Sequence, residues 1–150
     1  VDADKEIEKA AGMSVQDIFE QFGEEAFRSG EKKVIKRLMN EGQKILATGG
    51  GAFMNEEIRA DIAEGGVSVW LNADLDILMK RVQRRADRPL LKTEDPEATM
   101  RALLEERNPI YALSDVQIES RTVSRDVIAG EVVDLLAENL PDIAKERDWG

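Results

Sequence analysis

Short apolar segments that alternate with amphipathic helical patterns constrain the fold of this chain more than any other feature. Residues 44–48 and 67–71 are largely apolar, partly β-branched and bounded by charge or glycine, as buried strands are. Residues Val116–Glu119 form a weaker third segment. Between these segments, apolar residues recur at helical spacing. The alternation predicts right-handed crossovers and a three-layer α/β/α domain whose parallel sheet is covered on both faces.

Capping residues mark several helix ends. We expect Gly12 to end a first short helix and Ser14 to start the next one. Asp95 predicts another helix start, and this helix is expected to close before Pro109. A last amphipathic helix follows, and the polar tail at 141–150 is expected to fray.

The composition narrows the classes of function. The 150 residues, 42% of them hydrophobic, suit one compact core, so we expect a single domain over residues 1–150. With 31 acidic and 21 basic residues the net charge is −10, which disfavours nucleic acid as a partner. Because the sequence has neither Cys nor His, zinc sites and His-based acid/base chemistry are excluded. The absence of Cys is also consistent with a protein of the reducing cytoplasm. No apolar run is long enough to cross a bilayer.

A glycine run, Thr48-Gly49-Gly50-Gly51-Ala52, follows the first predicted strand. Open parallel sheets bind ligands at the carboxyl ends of their strands. Glycines at such a point let a ligand hydroxyl or phosphate approach the backbone N–H groups closely. The alternative is a flexible turn between a strand and a helix.

Asp2 and Asp4 form an acid-x-acid pair near the start of the sequence. In an extended segment both carboxylates lie on one side of the chain. Such a pair is able to hold Mg²⁺ through water and to accept a hydrogen bond from a substrate hydroxyl. The alternative is a solvated acidic surface or a helix N-terminus.

Arg28 and Glu31 are three residues apart in a helical segment, which places them on one face. Glu31 would then hold the Arg28 guanidinium in a fixed orientation, suited to a bidentate contact with a carboxylate. A routine surface ion pair is the alternative.

A basic segment interrupts this acidic sequence where a helix pattern breaks, at Arg81, Arg84, Arg85 and Arg88. Phosphoryl transfer uses such cations to neutralise charge on the migrating group, and a mobile loop is able to deliver them. A helix end whose cations complement the helix dipole is the alternative. Arg107, in Arg107-Asn108-Pro109-Ile110-Tyr111, is one cation before a proline at the expected end of a helix, and taken alone it is expected to cap that helix.

The order of these motifs is more specific than any one of them. They follow one another as Asp2-Ala3-Asp4, Gly23-Glu24, Phe27-Arg28 with Glu31, Gly49-Gly50-Gly51-Ala52, Arg88-Pro89-Leu90-Leu91, and Arg107 to Tyr111. In this series the chain resembles the bacterial shikimate kinases, up to about Leu140. The resemblance implies a P-loop nucleoside-monophosphate-kinase-like fold and ATP-dependent phosphorylation of the shikimate 3-hydroxyl, in chorismate and aromatic amino acid biosynthesis. It also implies ATP and Mg²⁺ as cofactors and a monomeric, cytoplasmic enzyme.

The resemblance further implies roles for residues of the acceptor site. Asp4 would bind the shikimate hydroxyls and act as base, while Asp2 would support Mg²⁺ through water. Arg28 and Arg107 would bind the shikimate carboxylate, with Glu31 orienting Arg28.

The remaining implied roles fall on the backbone and on the ATP side. Gly49, Gly50 and Gly51 would contact the substrate through their backbone, and helices over residues 3–31 would enclose it. Arg88 would reach the transferring phosphoryl from a lid over residues 83–95. Arg81 would lie against adenine, which the loop at 120–124 would border.

One departure from the family pattern concerns the ATP-phosphate loop. No Gly-x-x-x-x-Gly-Lys-Ser/Thr motif occurs in the sequence. In the family a strand and this loop precede the segment that Val1 begins. We therefore expect the sequence to be part of a longer protein, and expect this segment alone to be inactive.

Two alternative functions remain. The first is a kinase for another small carboxylated sugar such as gluconate, since fold alone permits it. The second is a catalytically dead domain that binds shikimate or a protein partner without turnover.

Overall fold

The computed structural model describes residues 1–83 and 93–149, which fall into two compact units, Val1–Gly66 and Val67–Gly150. The first unit contains helices α1 (Ala3–Ala11), α2 (Val15–Asn40) and α3 (Glu56–Gly65), with a 3₁₀ helix at Ala52–Met54. The second contains strands β1 (Val69–Asn72) and β2 (Val116–Glu119) and helices α4 (Leu75–Gln83), α5 (Pro96–Tyr111) and α6 (Arg125–Glu146).

The ends of α1 and α2 lie where the capping residues predicted them. Gly12 has φ 70°, the left-handed conformation that favours glycine, and its N–H donates to the Glu8 carbonyl. Ser14 caps α2 by accepting a hydrogen bond from the Asp17 N–H. Within α2, Gly23 has φ 82° and ψ 174°, which interrupts the helix and changes the direction of the segment that follows.

Two apolar clusters form the core of the first unit. One joins α1 and α2 through the buried residues Ile7, Ile18, Phe27, Val34 and Leu38. The other joins α1, α2, α3 and the 3₁₀ helix through Ala3, Ile35, Ala52 and Ile58. These apolar contacts fix the positions of the helices that carry the candidate site residues, because close-packed protein interiors resist displacement of their elements.

The predicted strand at 44–48 is reduced to a single bridge between Asp2 and Ala47. The Ala3 N–H donates to the Ala47 carbonyl at 2.8 Å, and the Ala47 N–H donates to the Val1 carbonyl at 2.8 Å. The pairing is parallel, as predicted, but it is short because α1 already begins at Ala3. Among the described residues nothing else extends this ladder.

The second unit contains the predicted parallel pair of strands. Val69 pairs with Val116 and Asn72 with Glu119, so β2 matches its predicted bounds and β1 begins two residues later than predicted. On β2, Val116 and Ile118 are buried while Gln117 and Glu119 are exposed, the alternation that an extended strand produces.

Two prolines lie inside helices that we expected them to end. Helix α5 continues through Pro109 to Tyr111, so the prediction that it closes before this proline is wrong. Helix α6 continues through Pro141 to Glu146, so the prediction of a frayed tail is wrong over most of its length. Beyond Pro141, buried Ile143 and an ion pair between Arg147 and Asp115 hold the last turns of α6, which offsets the backbone hydrogen bond that Pro141 removes.

Candidate active site

The glycine run folds as a tight turn directly after the Asp2–Ala47 bridge. The Ala52 N–H donates to the Gly49 carbonyl at 3.1 Å, and the Met54 N–H donates to the Gly51 carbonyl at 3.2 Å. Ala52 is buried and anchors the turn in the core. The run therefore has a defined conformation, which favours a binding role over a flexible connection.

Arg28 is held by two carboxylates on its own helix. Its Nη1 donates to Glu31 Oε1 at 2.8 Å, and its Nη2 lies 3.5 Å from Glu24 Oε1. The Phe27 ring centroid lies 5.1 Å from Arg28 Cζ, close enough for a cation–π contact. The Arg28 side chain is 27% exposed and that of Glu31 only 2%. Because Glu31 is buried, loss of its ion pair with Arg28 would destabilise the fold.

Gly51 lies directly against the Arg28 guanidinium. A Cβ added at Gly51 would stand 2.5 Å from both Cζ and Nη1 of Arg28, well inside van der Waals contact. The backbone of Gly51, at φ −73° and ψ −21°, is one that any residue adopts. Position 51 therefore requires glycine for the space that Arg28 occupies and not for backbone conformation.

Gly49 brings the two acidic residues of the site together. A Cβ at Gly49 would lie 3.5 Å from Asp4 Oδ1 and 3.9 Å from Glu31 Oε2. Asp4, Glu31, Arg28 and the glycine run thus surround one point of the first unit. A partly exposed guanidinium beside an acidic hydrogen-bond acceptor suits a ligand that carries both a carboxylate and hydroxyl groups.

Asp2 has a structural role that limits what else it is able to do. Its Oδ1 caps α1, accepting hydrogen bonds from the N–H groups of Asp4 at 3.0 Å and Lys5 at 3.3 Å. Within residues 1–83 and 93–149, no cluster of three or more acidic side chains is able to hold a metal ion. Asp2 Oδ1 itself is engaged in capping α1.

The second unit carries the other described candidates. On α4, Arg81 Nη2 donates to the buried Ser120 Oγ at 2.8 Å, just after β2. On α5, Arg107 is partly buried, and no hydrogen bond or ion pair to its guanidinium is found in the part of the chain that the structure describes. Arg88 and most of the predicted lid at 83–95 lie outside the described residues.

The loop after β2 is tied to α6 by a bidentate ion pair. Arg121 Nη1 donates to Glu131 Oε2 at 2.9 Å, and Arg121 Nη2 donates to Glu131 Oε1. The hydrogen bond from Arg121 lowers the pKa of Glu131, and the same pair raises the pKa of Arg121. The predicted adenine-bordering loop at 120–124 is thereby fixed at its centre.

Sequence reasoning missed three parts of this arrangement. Glu24, four residues before Arg28, was quoted in the motif series without a role, although its spacing indicates a second partner. The contact of Gly51 with Arg28 and the bond from Arg81 to Ser120 join residues distant in sequence, 23 and 39 positions apart. No local pattern signals contacts of that kind.

Comparisons with known proteins agree with the geometry. A family model described as shikimate kinase matches residues 1–137. The chain is 56% identical to a shikimate kinase from Bradyrhizobium diazoefficiens over 140 residues, which cover 93% of this chain and 68% of that protein. It is 51% identical to one from Brucella canis over 139 residues, 93% of this chain and 70% of that protein.

Solved structures give the same result. The chain superposes on a shikimate kinase from Acinetobacter baumannii in complex with shikimate with a TM-score of 0.87 and 34% identity, covering 92% of this chain and 78% of that one. A shikimate kinase from Aquifex aeolicus gives a TM-score of 0.74 at 28% identity, covering 93% and 81%. The predicted α/β class with the P-loop nucleoside-monophosphate-kinase-like fold is confirmed. On the matched family model and these relatives, the chain belongs to the shikimate kinase family.

Proposed function

We propose that the protein transfers the γ-phosphoryl group of ATP to the 3-hydroxyl of shikimate, giving shikimate 3-phosphate and ADP. The observation that carries this proposal is Arg28, held by buried Glu31 and seated against Gly51 beside Asp4. In a member of the shikimate kinase family, this arrangement supplies a carboxylate-binding cation and a hydroxyl-binding acid at one place. The reaction belongs to chorismate and aromatic amino acid biosynthesis.

Arg28 binds the shikimate carboxylate in this proposal. Glu31 takes one edge of the guanidinium, which fixes its plane before substrate arrives. Because the orientation is already set, less side-chain entropy is lost on binding than for a free arginine. Gly49, Gly50 and Gly51 let the substrate approach the backbone closely, as the absence of Cβ atoms allows.

Asp4 accepts the hydrogen bond of the 3-hydroxyl and takes its proton as the oxygen bonds to the γ-phosphorus. The bond from that phosphorus to the oxygen bridging the β- and γ-phosphates breaks, and ADP leaves. A loose transition state of this kind needs alignment and charge neutralisation, which carboxylates and arginines supply without His or Cys.

The remaining roles rest on the family resemblance and on local features of the second unit. Arg107, a partly buried cation with no anion among the described residues, binds the carboxylate together with Arg28. Arg81, held by Ser120, lies against adenine. Asp2 would hold Mg²⁺ through water, and the ion would neutralise phosphate charge when bound with ATP.

Arg88, on the proposed lid, reaches the transferring phosphoryl group. Its planar guanidinium bridges two phosphoryl oxygens, which a lysine does not do. We expect Arg88→Lys to lower kcat about 10²-fold with little change in the KM for shikimate. A kcat within about threefold of wild type, in steady-state assays, would remove Arg88 from the catalytic residues.

Acceptor choice tests the proposal against its alternatives. With the full-length protein and MgATP, a coupled ADP-release assay should show turnover with shikimate and none with gluconate. Faster turnover with gluconate would establish the other kinase. Calorimetric binding of shikimate without ADP release would establish a catalytically dead domain.

The setting of the enzyme completes the proposal. Within the described residues, no helix is both long and apolar enough to span a membrane. We place the enzyme in the cytoplasm as a monomer, where both of its small-molecule substrates are present. Sedimentation of the full-length protein at assay concentration would contradict the monomer if it showed a stable dimer.

A further inference from the structure

The segment after the glycine run is hydrogen-bonded by the side chain of Arg59, which none of the sequence motifs includes. Within the turn, the carbonyls of Gly49, Gly51 and Ala52 accept hydrogen bonds from backbone N–H groups of the turn itself. The next two carbonyls, those of Phe53 and Met54, accept from Arg59. Its Nη1 donates to Phe53 O at 2.8 Å and to Met54 O at 2.9 Å.

Arg59 is well placed to fix this turn because its own helix is anchored. Asn55 caps α3 by accepting hydrogen bonds from the N–H groups of Glu57 and Ile58. Ile58 is 1% exposed and packs in the same cluster as Ala52. The Arg59 side chain is partly buried, and its Cζ lies 6.0 Å from the Phe53 ring centroid.

The two bonds of Arg59 join its side chain to the backbone of the turn and differ from a surface ion pair. Both bonds join a cation to uncharged backbone carbonyls, and hydrogen bonds with one ionised partner are about twice as strong as neutral ones. The net charge of −10 offers many acids as partners, yet the two bonds found for Arg59 go to the turn.

We propose that Arg59 is a positioning residue for the acceptor site. By holding the carbonyls of Phe53 and Met54, it fixes the 3₁₀ helix that begins one residue after Gly51. Gly51 is the surface against which the Arg28 guanidinium is seated. Arg59 thus sets the position of Arg28 through the turn without touching substrate. This inference rests on the proposed function for its catalytic consequence, but not for its geometry.

The geometric part is tested by hydrogen–deuterium exchange, read by mass spectrometry, on the full-length protein without ligand. In Arg59→Ala, backbone amides over residues 49–55 should exchange at least about tenfold faster than in wild type, one 1.36 kcal/mol step. Lys36→Ala is the matched control, because Lys36 joins α2 to Asp61 of α3 at 3.4 Å without contacting the turn. Exchange over 49–55 that is unchanged in Arg59→Ala would overturn the inference, whatever the protein's activity.

The functional part is read from steady-state kinetics of the same variants. Arg59→Ala should raise the KM for shikimate about tenfold and leave the KM for ATP within about twofold. Arg59→Lys should recover most of that loss, because a single nitrogen makes both bonds and an ammonium carries three donors. A role in stability alone would lower Tm and leave both KM values unchanged, which contradicts the inference. Wild type that turns over no shikimate would instead refute the proposed function, and the exchange result would still decide the geometry.

Discussion

The two units of this protein hold their functional cations in different ways. In the first unit, Arg28 has a buried carboxylate partner, a second acid 3.5 Å away, an aromatic ring beside it and a glycine shaped to its outline. In the second unit, Arg81 is exposed with one bond to a hydroxyl, and Arg107 has no hydrogen bond or ion pair within the described residues.

This difference means that the Arg28 guanidinium is oriented before a ligand binds, whereas the orientation of Arg107 depends on the ligand. A guanidinium held from several sides keeps its geometry in the empty protein, which favours specificity for a carboxylate of fixed position. A partly buried guanidinium without a partner is less stable until an anion arrives, so it gains more from binding. We infer that Arg28 is already oriented before the acceptor binds and that Arg107 gains its partner only when the carboxylate of the acceptor is bound.

The largest effect we expect comes from removing Arg107, the cation for which residues 1–83 and 93–149 provide no hydrogen bond or ion pair. Arg107→Ala should weaken shikimate binding by about 2–4 kcal/mol, because a desolvated carboxylate would lose a charged partner. Stability should hardly change, since no described contact is lost. Calorimetric titration with shikimate and with ATP, beside a thermal melt, measures both. Unchanged shikimate affinity would remove Arg107 from the substrate-binding residues.

A slightly smaller effect should follow from filling the space beside Arg28. Gly51→Ala should lower kcat/KM for shikimate about 10²-fold, since the added methyl group displaces the guanidinium while leaving its charge in the protein. Tm should fall too, because the buried carboxylate of Glu31 then loses its ion pair with Arg28.

The matched control is another glycine of the same unit. A Cβ at Gly65 would meet nothing within 4 Å, so Gly65→Ala should leave the kinetics unchanged. If Gly51→Ala proved as harmless as Gly65→Ala, Arg28 would not be held by shape, and the contrast between the two units would be lost.

On the ATP side we expect a modest effect. Ser120→Ala removes the one described hydrogen bond of Arg81, which for a partly exposed pair corresponds to about 0.5–1.5 kcal/mol. The KM for ATP should rise roughly threefold to tenfold, with the KM for shikimate unchanged. An equal rise in both KM values would mean that Ser120 supports the strands and not Arg81.

The smallest effect concerns the surface pair that ties the loop at 120–124 to α6. The pKa of Glu131 is lower in the folded protein than its ordinary value of 4.5, so the pair stabilises the fold above that pH and loses its effect as pH falls through the lowered pKa. Glu131→Gln should therefore lower Tm slightly at neutral pH, by at most about two degrees. The difference from wild type should shrink as the pH falls below 4.5 and through the lowered pKa of Glu131. A difference that is independent of pH would assign it to packing.

The sequence predicted those features that local interactions determine. Ser14, Gly12 and Asp95 cap helices where expected, since each cap bonds within a few residues. The Arg28–Glu31 pair was likewise readable from its spacing of three. The continuation of helices through Pro109 and Pro141 was not predictable locally. At Pro141, buried Ile143 and the ion pair between Arg147 and Asp115 outweigh the proline penalty.

Long-range contacts explain the other structural features that the sequence did not predict. The strand at 44–48 became a single bridge because its partner turns into α1 at Ala3. Two further contacts form only once α2, α3 and the turn are packed together. They are the close approach of Gly51 to the Arg28 guanidinium and the hydrogen bond from Arg59 to the carbonyl of Phe53. Residue types and their spacing in the sequence do not indicate which distant residues come into contact.

The first unit presents a guanidinium already oriented for a carboxylate. The most direct measurement is a calorimetric titration of the full-length wild-type protein with shikimate and with its carboxamide, which keeps the shape and the hydroxyls but not the charge. We predict that the carboxamide binds at least about 10²-fold more weakly, in line with the loss of a charge-assisted pair. Equal affinity for the two ligands would contradict the account.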